Sequence, residues 1–195
     1  MAANSTASGQ QTSHQTSHAD YWVGVDLGKK VDYSVVAVIR KDGDLFRLVG
    51  LKVFPLGTDY TGETGVIGFL KVLNQRLQTI HKILIDQTGV GESVVEEAKK
   101  SVPHVNGIML SAPVKQDIMN FLKMMMQQKR LLIPYQLELA NELNIERFQL
   151  TKAGQIQYSH PSGTHDDRAW AVGLAVYSTK GPTVPGFKPY SRSFG

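Results

Sequence analysis

Hydrophobic and polar positions divide the first part of the chain into short extended runs. Three runs rich in valine, isoleucine and aromatic residues come first, with turn residues between them: YWVGVDL, YSVVAVIR and DLFRLVGLKVFP. Runs of this length and composition are typical of β-strands. Short turns between successive strands favour antiparallel pairing. The pattern therefore predicts three consecutive strands that pair antiparallel.

The next part of the chain changes to a helical period. Apolar residues three or four positions apart predict a helix with one face on the core. The residues of this stripe are Val66, Phe69, Leu70, Leu73, Leu77 and Ile80. KILID then predicts a buried strand, SVVEEAKK a helix, VNGIML a strand and the stripe from Val114 to Met125 another helix. This alternation of strands and helices predicts parallel strands.

Towards the end, RFQLTKAGQIQYS predicts a hairpin closed around KAGQ, and HDDRAWAVGLAVYS predicts a final helix. The whole pattern predicts an α/β fold. Its mixed sheet has three antiparallel strands followed by parallel strands, is flanked by helices, and carries an added β-hairpin before the last helix.

Composition sets the expected boundaries of this unit. A chain of 195 residues that is 42% hydrophobic can build one domain with a sizeable core. Residues 1–19 are mostly Ser, Thr, Gln, Ala and His, which predicts a disordered tail. Residues 179–195 contain three prolines and three basic residues and no acidic one, which predicts a flexible basic tail. The domain is expected to span residues 20–178.

Charge and residue usage narrow the classes of function. The net charge of +4 is compatible with a polyanionic partner but does not require one. The chain has no cysteine, so a metal ion would have to be held by carboxylate, histidine or water. No apolar stretch reaches membrane-spanning length, and the N-terminus lacks the apolar run of a signal peptide. We therefore expect a cytoplasmic protein without a membrane partner.

Four aspartates interrupt apolar runs at the ends of predicted elements. Asp26 ends the first strand, Asp86 ends the KILID strand, and Asp166 and Asp167 open the last helix. Each has a local explanation: the first two suit turns, and the pair suits the positive end of a helix dipole, with Thr164 as N-cap. Desolvated carboxylates are nevertheless costly unless they are paired or bound to a cation.

The shared placement of these acids favours a common site. Neighbouring strand ends meet at one edge of a parallel sheet, so we expect the carboxylates to converge there. Convergent carboxylates bind one or two Mg²⁺ or Mn²⁺ ions, and such sites hydrolyse phosphodiester bonds.

Five stretches, taken in order, resemble a known family. They are GVDLGKKVDYSVVAVI, ILIDQTGVGESVVEE, APVKQDIMNFLKMMMQQKRLLIP, GQIQYSHPSGTHDDR and AWAVGLA. Over about residues 22–178 the chain is similar to the C-terminal nuclease domain of the large terminase subunit of tailed bacteriophages, a member of the RNase H-like superfamily.

The resemblance implies an endonuclease that cuts double-stranded DNA with two Mg²⁺ or Mn²⁺ ions during genome packaging. It implies that Asp26 bridges both ions and that Asp86 and Asp167 complete the ligands. The family pattern places a ligand directly before Arg168, which favours Asp167 over Asp166. Asp166 and His165 remain neighbouring or alternate ligands. The candidate DNA contacts are Lys115, Arg168, Lys29 and Lys30.

The resemblance also implies partners and leaves alternatives. Large subunits of this family carry a packaging ATPase, but no G-x-x-x-x-G-K-[ST] motif occurs here, so this chain is not expected to be the motor. The resemblance implies a packaging ATPase domain, the small terminase subunit and the portal as partners. One alternative is a junction resolvase or transposase-type nuclease of the same superfamily. Another is a DNA-binding or portal-binding module without activity. An actin-like or sugar-kinase ATPase needs two such domains, for which the chain is too short.

Overall fold

The structure, a computed structural model, describes residues 19–28, 32–77, 79–89, 91–145, 147–150, 156–159 and 165–181. Its centre is a six-stranded mixed sheet. The strands are β1 (Asp20–Asp26), β2 (Val35–Asp42), β3 (Leu45–Val53), β4 (Thr79–Asp86), β5 (Val105–Ile108) and β6 (Leu131–Leu132). They lie in the order β5-β4-β1-β2-β3-β6. The first three strands pair antiparallel, and β4 and β5 join them in parallel, as the sequence pattern predicts. Strand β6 pairs parallel with β3 at the other edge of the sheet.

Five helices flank this sheet in the described part of the chain. They are α1 (Val66–Arg76), α2 (Gly91–Lys99), α3 (Ala112–Gln127), α4 (Leu137–Ile145) and α5 (Asp167–Tyr177). Strands β7 (Arg147–Leu150) and β8 (Ile156–Ser159) pair antiparallel as the expected hairpin before the last helix. The KAGQ residues that were expected to close it lie outside the described residues, as do most residues of the two expected tails.

The structure corrects the sequence prediction in two places. Helix α1 ends at Arg76, Leu77 is its C-cap, and Ile80 belongs to β4 rather than to the helical stripe. Pairing between β1 and β4 starts at Asp20 and Thr79. Ile80 therefore lies in the sheet, although the helical period alone assigns it to α1. Helix α4 and the two-residue strand β6 were not predicted.

The two faces of the sheet are covered by different helices because side chains alternate along a strand. Val23 and Val25 of β1 point to the core shared with α1 and α2. Ala37 of β2 points to the opposite core, which includes Ala171 and Ala175 of α5. The intervening residues of β1, including Gly24 and Asp26, therefore face α5.

Helix α5 lies directly against β1 at Gly24. A Cβ atom at this position would fall 2.2 Å from both the Ala171 carbonyl oxygen and the Ala175 nitrogen. Only glycine permits backbone to approach backbone this closely. This contact places the start of α5 above the carboxyl end of β1, where Asp26 lies.

Within the residues that the structure describes, no helix combines the length and apolar character needed to cross a lipid bilayer.

Candidate active site

The carboxyl ends of β1 and β4 bring Asp26 and Asp86 to one edge of the sheet. The two strands are parallel neighbours, and the residues just before the acids, Val25 and Ile85, are register partners. Leu84 packs with residues of α5, so Asp86, two positions on, shares the face on which Asp26 lies. Each acid directly follows the apolar run of its strand, so the length of that run sets its position. Both acids lie on the face of the sheet that α5 covers.

The start of α5 supplies two further acids. Asp166 is the N-cap residue, and Asp167 is the first residue of the helix. Asp167 is only 5% exposed. Its Oδ2 accepts a hydrogen bond of 3.2 Å from the Tyr33 backbone N–H and lies 3.6 Å from His165 Nδ1.

These acids line one cleft with a volume of about 300 Å³. Residues of four segments form its wall: Asp26, Leu27, Gly28, Asp32, Asp86, Thr88, Leu110, Lys115, Asp166, Asp167 and Trp170. Sequence reasoning missed Asp32, an exposed loop residue with no periodic pattern around it. Asp26, Asp86, Asp166 and Asp167 thus all line the same cleft.

Burial and mutual repulsion raise the pKa of two of the acids. Desolvation raises the pKa of Asp167 to about 6, and the charges of Asp32 and Asp166 add to this while the Tyr33 N–H opposes it. Desolvation also raises the pKa of Asp26 well above its ordinary value, with further contributions from Asp167, Asp86 and Asp166. Carboxyl groups that resist ionisation in each other's presence gain most from a bound cation.

The Asp86 side chain is oriented by the loop that follows β4. Its Oδ1 accepts a hydrogen bond of 2.8 Å from the Thr88 N–H. The Thr88 hydroxyl oxygen in turn accepts a 3.0 Å hydrogen bond from the Leu110 N–H, just beyond β5. Thr88 therefore ties the acid at the end of β4 to the next strand of the sheet.

Asp166 and Lys115 meet at the indole of Trp170. Trp170 Nε1 donates a hydrogen bond of 2.8 Å to Asp166 Oδ2. Lys115 Nζ lies 4.9 Å from the centroid of a Trp170 ring, a cation–π distance. The Lys115 charge also lowers the pKa of Asp26, against the stronger effects that raise it. Lys115 thus supplies positive charge inside the cleft.

The helix start is capped by a residue that sequence reasoning missed. Asp166 makes no side-chain capping hydrogen bond, and Thr164, the expected N-cap, lies outside the described residues. Instead, Glu142 of α4 accepts hydrogen bonds from the backbone N–H groups of Arg168 and Ala169, at 2.7 Å and 3.0 Å. The cap of α5 therefore comes from a residue of another helix and not from the Asp166 side chain.

The donor chemistry of the cleft fits a hard divalent cation. The lining acids offer carboxylate oxygens, which Mg²⁺ and Mn²⁺ prefer. Within the described residues, no three histidine, aspartate or glutamate side chains already stand close enough to enclose one ion. Binding would therefore require the carboxylates to draw together, and the repulsion among them is the force that a cation would relieve.

The candidate DNA contacts are placed unequally. Lys115 lies in the cleft wall. Arg168 lies one residue beyond Asp167, and its guanidinium Nη1 bonds Glu142 Oε1 at 2.5 Å, with 18% of the arginine side chain exposed. Lys29 and Lys30 lie outside the described residues.

Comparison with known proteins gives consistent matches. The model of the family described as the terminase RNaseH-like domain matches residues 67–178, more than half of the chain. The large terminase subunit of Thermus virus P23-45 is 26% identical over 163 residues, which cover 83% of this chain and 32% of that protein. The chain thus spans about a third of the length of the curated relatives it matches.

Solved structures share the fold. The large terminase nuclease from thermophilic phage G20c superposes with a TM-score of 0.71 at 24% identity, covering 82% of each chain. A structure of the same nuclease with bound magnesium has a TM-score of 0.71 at 24% identity, covering 82% of this chain and 81% of that one. The fold is therefore the RNase H-like mixed sheet that the sequence motifs implied.

Proposed function

Because the chain belongs to the family of terminase RNase H-like domains, we propose that it is a divalent-metal-dependent endonuclease that cleaves double-stranded DNA in phage genome packaging. One observation carries this proposal: Asp26, Asp86 and Asp167 come from three separate elements and line the same cleft. In a module that only binds DNA, carboxylates gathered in the cleft would repel the phosphates and weaken binding.

In this proposal Asp26, Asp86 and Asp167 hold the metal, and Asp166 is the alternate ligand. Asp26 is the central acid, because the charges of the other three all act on it. Two Mg²⁺ or Mn²⁺ ions, when bound, supply a water of lowered pKa and neutralise charge on the departing oxygen. The magnesium-bound relative supports a divalent ion for this fold. The expected products carry 5′-phosphate and 3′-hydroxyl ends.

The protein's own side chains would hold the DNA by its phosphates. Lys115 can reach a phosphate that approaches the acids, since it is the cationic side chain among the described residues of the cleft wall. Arg168, Lys29 and Lys30 complete the proposed contacts. Phosphate contacts carry no direct sequence information, so cleavage should show little sequence preference.

The same proposal includes a setting and partners. The relatives that the chain matches are about three times longer than the matched part. We place the chain beside a packaging ATPase domain, the small terminase subunit and the portal, in the host cytoplasm.

The test is a nicking assay on supercoiled plasmid with Mn²⁺, Mg²⁺ or EDTA. The parent should cut only with a divalent ion. Asp26→Asn and Asp86→Asn should each lose at least about a hundredfold in rate, because each removes charge that acts on the metals. Asp44→Asn, which changes an exposed residue of the turn between β2 and β3, is the matched control and should cut like the parent.

Three results would contradict the proposal. Cleavage by Asp26→Asn at the parental rate would remove the assigned acid from the site. Strong preference for a four-way junction over linear duplex would point to a resolvase instead. Absence of both cleavage and metal binding would favour a DNA-binding or portal-binding module.

A further inference from the structure

Glu142 is a buried carboxylate whose hydrogen bonds all reach the start of α5. It is 4% exposed. Its Oε2 accepts the N–H groups of Arg168 and Ala169, and its Oε1 accepts the Arg168 guanidinium. A buried charge is costly unless it is paired and fully hydrogen-bonded. These three bonds satisfy that condition, and all of them lie within two residues of Asp167.

The bonds replace the usual cap of a helix. The first backbone N–H groups of a helix have no partner within it, and an N-cap side chain normally accepts one of them. Asp166 occupies the N-cap position without doing so. Glu142 thus accepts these N–H groups from a different helix, while the Asp166 side chain bonds Trp170 and lines the cleft.

The middle of α5 is positioned by a separate contact. The contact with Gly24 fixes the helix at Ala171 and Ala175. The first turn lies beyond that contact, and helix ends fray when their N–H groups lack partners. Among the described residues, the Tyr33 N–H bonds the Asp167 side chain, and Glu142 bonds the backbone of this turn and links it to α4.

We propose that Glu142 is a positioning residue, which fixes the first turn of α5 and so sets the placement of Asp167 for a divalent ion. This inference rests on the proposed function, because it assigns a role to Glu142 in the same site. Glu142 itself does not touch the metal or the DNA.

The variant Glu142→Gln tests this with little change of shape. A glutamine amide has one oxygen and no charge, so it cannot also accept the guanidinium, and any bonds that it keeps to the two backbone N–H groups are weaker neutral ones. Glu138→Gln is the matched control, since Glu138 is an exposed residue of the same helix. Arg168→Gln is a milder second variant, because it leaves the two backbone bonds in place.

Two measurements separate positioning from simple stabilisation. Amide hydrogen exchange by NMR reports whether the N–H groups of Arg168 and Ala169 lose protection. Mn²⁺ affinity is read from quenching of Trp170 fluorescence in a Trp22→Phe background, which removes the second of the two tryptophans. We expect Glu142→Gln to speed exchange at both amides and to weaken Mn²⁺ binding tenfold or more, as loss of a partner behind a metal ligand typically does. Arg168→Gln should weaken Mn²⁺ binding less, and Glu138→Gln should match the parent in both readouts.

The outcomes distinguish this inference from the proposed function. Unchanged exchange in folded Glu142→Gln would overturn the positioning role. Faster exchange with Mn²⁺ affinity within about twofold of the parent would show that Glu142 only stabilises the helix, and would also overturn it. Failure of the parent to bind Mn²⁺ at all would overturn the proposed function, and this inference with it.

Discussion

Asp166 and Asp167 are neighbours in sequence but differ in their surroundings. Asp167 is buried, and its charge is opposed by Asp32 and Asp166. Asp166 is less buried and bonds the Trp170 indole. We expect Asp167→Ala to eliminate plasmid nicking and Asp166→Ala to reduce it only in part, because Asp167 gains more from a cation. Parallel nicking assays on both variants measure this. The reverse ranking would transfer the ligand role to Asp166, and equal total losses would assign it to both.

The raised pKa of Asp167 makes the stability of the protein depend on pH. The folded-state pKa is about 6, against an ordinary value of 3.8, so the folded state keeps this proton to higher pH than the unfolded state. Its contribution to stability is present below about pH 4 and is lost as the pH rises through about 6. This difference between the two pKa values corresponds to roughly 3 kcal/mol of unfolding free energy.

The variant Asp167→Asn removes this titrating group, together with the effect of its charge on the pKa of Asp26. With EDTA present, the free energy of unfolding of the variant minus that of the parent should rise by roughly 3 kcal/mol between pH 4 and pH 8. Urea denaturation across this pH range measures it. Mn²⁺ at pH 8 should stabilise the parent and not the variant, because it binds the folded parent. A difference that stays constant with pH would contradict the assignment.

At the scale of elements, the contact between β1 and α5 governs the site. Gly24→Ala would place a methyl group 2.2 Å from helix backbone atoms, which must then move. We expect a loss of at least about 2 kcal/mol of unfolding free energy, since substitutions that overpack a core typically cost about 1–3 kcal/mol. Metal-dependent nicking should fall as well, because α5 carries Asp167. Urea denaturation and the nicking assay measure the two effects.

Gly62→Ala is the control for this prediction. A Cβ atom at Gly62 meets nothing closer than 3.9 Å, and its backbone does not require glycine. It should remain within about 0.5 kcal/mol of the parent. Equal stability of Gly24→Ala and the parent would mean that α5 can shift away from β1 without cost.

How much of this arrangement the sequence predicts depends on the range of the interactions. Asp26 and Asp86 were predictable because a strand's apolar run ends where its acid begins, and parallel neighbours align those ends. Their common face follows from the alternation of Val23 and Val25 with Gly24. The choice between Asp166 and Asp167 came from the family motif and not from periodicity, because α5 is buried on nearly all sides.

Helix α4 and its Glu142 were missed for a physical reason. Leu139 and Leu143 stand four residues apart and pack on the core, which is a helical signal, but a short one. The role of Glu142 depends on contact with Arg168 and Ala169, which are distant in sequence. No local pattern reports such a contact. Asp32 was missed as well, because a residue in a loop belongs to no periodic pattern of apolar residues.

At the scale of the whole molecule, binding of DNA should depend steeply on salt. Each neutralised phosphate contributes about 0.9 to the slope of log affinity against log salt. If Lys115, Arg168, Lys29 and Lys30 each make one contact, affinity should fall about 150-fold between about 50 and 200 mM salt. Binding of Asp26→Asn to random duplexes with Ca²⁺ measures this without cleavage.

Single substitutions sharpen that measurement. Lys115→Gln should lower the slope by about 0.9. Arg168 is already bonded to Glu142, so a smaller change for Arg168→Gln would show that this ion pair persists on DNA. ATP should leave binding unchanged, because the chain lacks the P-loop motif. Salt-insensitive binding, or cutting at one sequence only, would contradict this picture.

The acids of the cleft belong to elements that meet only when the sheet is complete. A ribosome makes the chain from its first residue, so Asp26 and Asp86 leave the exit tunnel well before Asp167. Until α5 docks against Gly24, the third acid is not beside the other two. Under the proposed function, a nascent or partly unfolded copy would lack the assembled site needed to cut the DNA around it, and cleavage would begin only with the finished fold.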